Sequence, residues 1–352
     1  MVRLRDIANK LGISESLVSK VLSGKLGSTA VTEEKAELIR RTAGEMGYAP
    51  NLNARSLAGK PSRIIGILID STAPPVFFRT LAAIERIASG HGYRCMIGEA
   101  HDSLENLRGN VDIFMQYGVD GIISLAHGYP GRKTEFIRLF ADYLDRMVFV
   151  GKPPHPDVAY VEIDRASAVK EAVRHLYDCG ARRIAFIRGR RNWASLRQRQ
   201  EGYIAGMKSL GFEEKDWRIY HYSEEIMTAD APRESFKKQI VRYILETRAD
   251  GVVGLNDFIA HRLIFELAER GVRCPEDVRI VGSDNEPFTR YTIPPLTTID
   301  SKTELQAEAV LELLLEQLSA PGKTVPRRKI ITPELILRKS TQSFHKKQEV
   351  FP

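Results

Sequence analysis

The chain has 352 residues, 43% of them apolar, which suits two or three domains with proper cores and excludes a disordered chain. No run of 18 apolar residues occurs, so a membrane-spanning helix is excluded; Arg3, Arg5 and Asp6 stand where a secretory signal would be apolar, and three scattered cysteines (Cys95, Cys179, Cys274) fit reduced thiols in the cytoplasm. The net charge of +7 is concentrated at one end: residues 1–63 hold 11 Lys/Arg against 6 Asp/Glu, the footprint of a polyanionic partner.

The first predicted elements are three short helices. Ile7, Ala8 and Leu11 share one helical face, and Gly12 provides a left-handed stop. Ser14 caps a second helix, in which Leu17, Val18, Val21 and Leu22 point inward while Glu15, Ser16, Ser19 and Lys20 point outward. A third helix is expected over Glu33–Met46, with Thr32 as its N-cap, Glu33 and Glu34 at its positive end and Gly47 as its stop. This is a helix-turn-helix pattern, and the N-terminal half of its second helix is the part that enters the major groove.

Gly59-Lys60-Pro61-Ser62 reads as a linker. Strands and helices then alternate: strands at Ile64–Ile69, Tyr93–Ile97, Val119–Ile123 and Met147–Val150, with helices at Phe77–Gly90, Leu104–Tyr117 and Arg132–Leu144 between them. A second set follows, with strands at Val161–Asp164, Ile184–Ile187, Ala249–Val253 and Val278–Gly282. Its helices run up to Cys179, over Arg199–Leu210, and over Phe258–Arg270. Alternation of this kind implies α/β lobes with parallel sheets. Val119-Asp120-Gly121-Ile122-Ile123 and Ala249-Asp250-Gly251-Val252-Val253 read as one element repeated in two lobes. Ligands bind such sheets outside the carboxyl ends of their strands.

The phrases Asp6-Ile7-Ala8, Gly12-Ile13-Ser14, Val18-Ser19-Lys20-Val21, Gly47-Tyr48-Ala49-Pro50-Asn51 and Ala54-Arg55-Ser56-Leu57 resemble the LacI/GalR family of bacterial transcription regulators. The resemblance continues through nearly the entire chain. It implies an all-α helix-turn-helix head at 1–50, a hinge helix and linker at 51–62, a two-lobed periplasmic-binding-protein-like core at 63–340 and a polar tail at 341–352. Lobe 1 would comprise 63–161 and 292–322, and lobe 2 162–291 and 323–340. The chain would cross between them near 161–163, 289–293 and 320–325, and Lys329–Leu337 would return to the second lobe.

Carried over residue by residue, Glu15, Ser16 and Lys20 would read base edges, flanked by Ser14, Ser19 and Thr32. Lys suits guanine and a carboxylate suits cytosine. Asn53, Ala54 and Leu57 would sit on the hinge helix, with Leu57 as a minor-groove wedge. The loop Ser23–Val31 is longer than the shortest family versions, which leaves its phosphate contacts open. For the effector, the resemblance points to Asp70 and Phe77 in lobe 1. In lobe 2 it points to Arg199 as a clamp, Ser195 on the preceding loop, the pair Asn256-Asp257, and Asp284 within Gly282-Ser283-Asp284-Asn285. Phe77 equally fits the core, and Asp257 and Asp284 also fit helix caps. Two departures stand out: Arg165 replaces the family's asparagine after Asp164, and Ser283 replaces an aromatic residue. The cluster Arg188-Gly189-Arg190-Arg191-Asn192-Trp193 suggests an anionic effector, or simply a solvated basic loop.

The expected function is a homodimeric transcription repressor on a pseudo-palindromic duplex operator, controlled by a small carbohydrate-like effector, with no catalytic residue, metal or cofactor. A solute receptor or an enzyme on the same two-lobed fold is the alternative. No phosphate-binding glycine loop, G-x-S-x-G or H-E-x-x-H supports catalysis.

Overall fold

The structure is a computed structural model that describes residues 2–24, 31–48, 61–70, 75–126, 128–129, 131–155, 157–223, 233–319 and 328–342. The chain divides into two compact units, Met1–Ser62 and Arg63–Pro352. In the first, α1 (Leu4–Leu11), α2 (Glu15–Leu22) and α3 (Glu33–Glu45) enclose Ile7, Ala8, Val18, Val21, Ala36, Ile39 and Ala43. Gly12 ends α1 at φ +63°, the left-handed conformation that costs glycine little. The Ser14 hydroxyl accepts from Leu17 N at 3.2 Å and the Thr32 hydroxyl from Lys35 N at 3.4 Å, so both caps form.

The second unit holds two six-stranded sheets. The first contains β1 (Ile64–Ile69), β2 (Arg94–Glu99), β3 (Gly121–Ser124), β4 (Met147–Val150), β5 (Ala159–Ile163) and β11 (Arg328–Ile331), in the order β11-β5-β4-β3-β1-β2. The second contains β6 (Ile184–Gly189), β7 (Arg218–Tyr222), β8 (Gly251–Gly254), β9 (Arg279–Ser283), β10 (Thr297–Asp300) and β12 (Glu334–Ile336), in the order β12-β10-β9-β8-β6-β7. Pairing is parallel except for β12 against β10. β1 is buried over five of its six residues because helices cover both faces of its sheet. Glycine is required within it: a Cβ on Gly66 would lie 2.3 Å from the Phe114 ring.

Both sheets share one winding, and each reverses direction beside its first strand, between β1 and β3 and between β6 and β8. A crevice opens at such switch points, at the carboxyl ends of the strands. Helices α4 (Pro75–Gly90), α5 (Leu104–Gln116) and α6 (Lys133–Phe140) clothe the first sheet. Helix α7 (Arg165–Asp178) and helix α8 (Ala194–Ser209) pack on one face of the second. The helical turns Arg233–Phe236 and Arg242–Glu246 flank a π turn at Lys237–Val241 and, with α9 (Asp257–Ala268), cover the other face. Helix α10 (Thr303–Ser319) returns to the first lobe, where it packs with α4.

The expected lobe boundaries need correction. Val161, Glu162 and Ile163 still belong to β5 and pair with Lys329, Ile330 and Ile331, so the first crossing follows Ile163, at the end of the expected stretch. Residues 289–293 do not cross, since β10 stays paired with β9; the second crossing falls between Asp300 and Thr303. The third lies between Ile331 and Glu334, not at 320–325, because β11 joins the first sheet and β12 the second. Lys329–Leu337 is therefore shared between lobes. Lobe 1 is formed by 63–163 and 302–331 and lobe 2 by 164–301 and 334–342, with 320–327 outside the described residues. The physical reason is sheet pairing over long sequence separations, which no local phrase reveals.

Candidate functional site

In the head, α2 presents Glu15, Ser16 and Lys20 as exposed side chains, with Ser19 half-buried, because Val18 and Val21 anchor its opposite face. Ser14 and Thr32 are exposed too, and both hydroxyls are engaged as helix caps. Asn53, Ala54 and Leu57, and the hinge helix expected at 51–58, lie outside the described residues.

In the core, a cavity of about 600 Å³ lies at the carboxyl ends of the strands, between the two lobes. Asp70, Phe77, Ser195, Arg199, Asn256 and Asp284 all line it, six of the seven residues expected there. Asp70 ends β1; its carboxylate accepts from the Tyr129 hydroxyl at 2.7 Å. Burial, reinforced by Asp70, pushes the Tyr129 phenol upward, so it stays a donor. Phe77 sits in the first turn of α4, both lining the cavity and packing on the lobe 1 core. Asn256 N-caps α9 by accepting from Ile259 N at 3.0 Å.

The sequence places two of these residues inaccurately. Ser195 is not on a loop, because α8 begins at Ala194 with Trp193 as its extended N-cap. Its first turn carries one buried apolar residue, Leu196, too little periodicity to register. Asp257 does not line the cavity. It is fully buried, accepting from Glu286 N at 2.7 Å and Thr298 Oγ1 at 2.5 Å, and burial raises its pKa well above the ordinary carboxyl value. A Cβ on Gly282 would meet its oxygen at 2.2 Å, so Asp257 braces α9 against β9 and β10.

Asp284 and Arg199 face one another, Oδ1 to Nη2, at 3.6 Å, with side chains only 5% and 13% exposed. Ser301 Oγ donates to Asp284 at 3.2 Å. Burial raises the Asp284 carboxyl while Arg199 and Arg165 pull it back. Asp284 and Asn285 hold φ of +102° and +49°, a strained pair of non-glycine residues at the cavity wall. Their carbonyls accept from Arg79 Nη1 of α4 at 2.9 and 3.1 Å, which ties lobe 1 to the loop carrying Asp284. Arg191 and Asp102, 3.4 Å apart, form a second bridge between lobes.

The basic cluster at 188–191 does not supply the cavity's charge. Arg188 is buried and donates to Gly189 O, Arg191 O and Gln200 Oε1, bracing its own loop, while Arg191 lies over the Trp193 ring at 4.8 Å. Trp193 itself lines the cavity. The cations that do so are Lys133, Lys152, Arg165, Arg197 and Arg199. Arg165 was visible in the sequence only as a departure, and Tyr129 and Gln306 carried no signal. Arg165 and Arg199 share a wall because α7 and α8 cross closely: a Cβ on Gly202 would lie 2.2 Å from Ala166 O, and one on Gly206 2.9 Å from Val173 Cβ. Among the described residues no group of three His, Cys, Asp or Glu is placed to hold a metal ion, and no helix is long and apolar enough to cross a membrane.

The sequence pattern of the periplasmic binding protein-like domain family matches residues 173–341. The chain is 28% identical over 347 residues to the HTH-type transcriptional repressor PurR of Pasteurella multocida, covering 97% of this chain and 99% of that one. It is 28% identical over 344 residues to the ribose operon repressor of Halalkalibacterium halodurans, covering 97% and 98%. In structure it is similar to the lac repressor dimer bound to operator and the anti-inducer ONPF, with a TM-score of 0.82 at 24% identity over 97% of this chain and 99% of that one. From the helical head to the end of the core the chain is thus similar to transcriptional repressors, and it shares its fold with the lac repressor.

Proposed function

We propose that the chain is a cytoplasmic, homodimeric repressor that binds a pseudo-palindromic duplex operator and is controlled by a small molecule in the cavity between its lobes. The carrying observation is the presence in one chain of an exposed, capped α2 bearing Glu15, Ser16 and Lys20 and a cavity of about 600 Å³ bordered by both lobes. The first is built to enter a major groove. The second has the size of a small-molecule site, within the usual 300–1,000 Å³. Asn53, Ala54 and Leu57 would add minor-groove contacts from each protomer.

Dimerisation is supported by apolar side chains left exposed in both lobes: Phe78, Ile97, Ile113 and Tyr117 in lobe 1, and Phe258 and Phe265 on α9. Phe258 and Phe265, seven residues apart, share one helical face. The effector we propose is a sugar-sized compound whose ring packs on Phe77, Tyr129 and Trp193 while Asp70, Arg199 and Asp284 take its polar groups. The similar regulator CelR was solved as a complex with cellobiose.

Fluorescence anisotropy of the full chain on duplexes selected from a random pool tests this. Selected duplexes should bind far more tightly than random ones, with affinity falling steeply as salt rises. A chain with no preference among duplexes at any salt concentration, with or without candidate sugars, is not an operator-binding repressor.

A further inference from the structure

Arg165 is the residue that the proposed function leaves unused. It stands at the first position of α7, behind the N-cap Asp164, whose side chain accepts from Ser167 N at 3.0 Å. The first turn of α7 holds no acidic residue. A cation at the positive end of a 14-residue helix is opposed by the helix dipole. Among the described residues, the Arg165 guanidinium has no hydrogen bond and no ion pair within 4 Å, though it lines the cavity. Arg199 lines the same wall and forms a 3.6 Å ion pair with Asp284. Among the described residues, the acids lining the cavity are Asp70, Glu201 and Asp284, against the five cations named above. Asp70 is already engaged by Tyr129.

Two guanidinium groups thus share a cavity wall, with Asp284 between them and Glu162 also acting on Arg165. Burying like charges side by side with incomplete compensation is costly. Burial first, and then the neighbouring Arg199, pushes the Arg165 pKa down to about 9 against the opposing pull of Asp284 and Glu162. A neutral polyol would satisfy some of the guanidinium N–H donors but none of the charge. A planar carboxylate or a phosphate satisfies both, through the paired N–H geometry that arginine offers.

Resting on the assignment of the cavity as the effector site, we propose that Arg165 and Arg199 form an anion subsite and that the effector is a sugar-sized compound bearing a carboxylate or a phosphate. The rest of the cavity, with Phe77, Tyr129 and Trp193, receives the uncharged body of the compound. Arg165 is then a specificity-determining residue: it selects acids over their neutral parents.

Isothermal titration of the full chain tests this with three matched sets: neutral hexoses and pentoses, the corresponding uronates and aldonates, and the corresponding sugar phosphates. The wild type should bind a member of one anionic set and reject its neutral parent. Arg165→Gln should weaken that binding about tenfold to a hundredfold, Arg165→Lys should restore part of it, and binding to selected operator duplex without ligand should stay unchanged. The carboxylate and phosphate arms identify which anion is used. Tight binding of a neutral sugar, with its acids rejected or with Arg165→Gln indifferent, would overturn the anion subsite and leave the effector site standing. Silence from all three sets would overturn the two together.

Discussion

Asp257, which opens α9 after β8, and Asp284, which follows β9, look alike as residues but do different work. Asp284 faces the cavity, whereas Asp257 holds Glu286 N and Thr298 Oγ1 behind it. Asp257→Ala should therefore lower core stability by about 1–3 kcal/mol, measured by urea unfolding, because it leaves two buried donors unmatched. An equally stable variant that merely lost ligand would show the brace to be a contact residue instead. Lys20 is distinguished by specificity rather than stability. If it reads a guanine edge, Lys20→Ala should cost about 1–3 kcal/mol at one base pair and leave the others alone. A uniform loss across operator variants would make it a phosphate contact.

His175 gives the core a pH response. Burial holds it below the ordinary imidazole value of 6.5, against the smaller opposing pull of Asp178 and Glu171, and its Nε2 lies 2.9 Å from Thr341 Oγ1. The unfolded chain binds that proton more readily, so the stability tied to neutral His175 is intact above pH about 6.5 and is lost as pH falls through the folded value. Asp257 and Asp284, raised by burial, respond in the opposite sense. The readout is thus the difference between wild type and His175→Gln: the variant should lose less thermal stability between about pH 7.5 and about pH 5.5. Equal losses would mean that His175 is not the group that titrates.

Among elements, the crossing of α7 and α8 sets the cavity wall that carries Arg165 and Arg199. Gly202 has no room for a Cβ against Ala166 O at 2.2 Å, so Gly202→Ala must shift one helix and move Arg199 relative to Arg165. We expect weakened ligand binding with secondary structure retained by circular dichroism; unchanged affinity would mean the wall tolerates the shift. Helices with one exposed face, and a strand buried on both faces as one apolar run, were legible in the sequence. The helices of the head announced themselves through Gly12, Ser14 and Thr32, and β1 through its run of Ile and Leu. Helix α10 was not, because Ala307, Ala309, Val310, Leu311, Leu313 and Leu314 are all buried and leave little amphipathic period. Six cavity-lining residues were legible because they stand at strand ends and helix starts in recognisable phrases. Tyr129 and Gln306 were not, because only the return of distant segments to one crevice brings them there. The crossings were misplaced for the same reason: β11 and β12 are adjacent in sequence but join different sheets.

For the whole molecule, the lobes meet through contacts that a ligand can bias. Arg79 ties α4 to the backbone of Asp284 and Asn285, and Arg191 pairs with Asp102. Arg79→Ala should favour open lobes and weaken ligand binding about tenfold, read by titration calorimetry, with a larger radius of gyration by solution scattering before ligand is added. A variant with unchanged radius and affinity would show these contacts to be incidental to closure.

Control of DNA by the cavity is a statement about linkage, which is reciprocal: a ligand that changes operator affinity by some factor must have its own affinity changed by that factor. The decisive measurement is this four-sided cycle on the full chain, with operator affinity with and without saturating ligand and ligand affinity with and without saturating operator. We predict one shared factor different from unity, abolished when Arg199 is changed to Ala because the ligand no longer binds. A ligand that fills the cavity and leaves operator affinity unchanged would contradict the account.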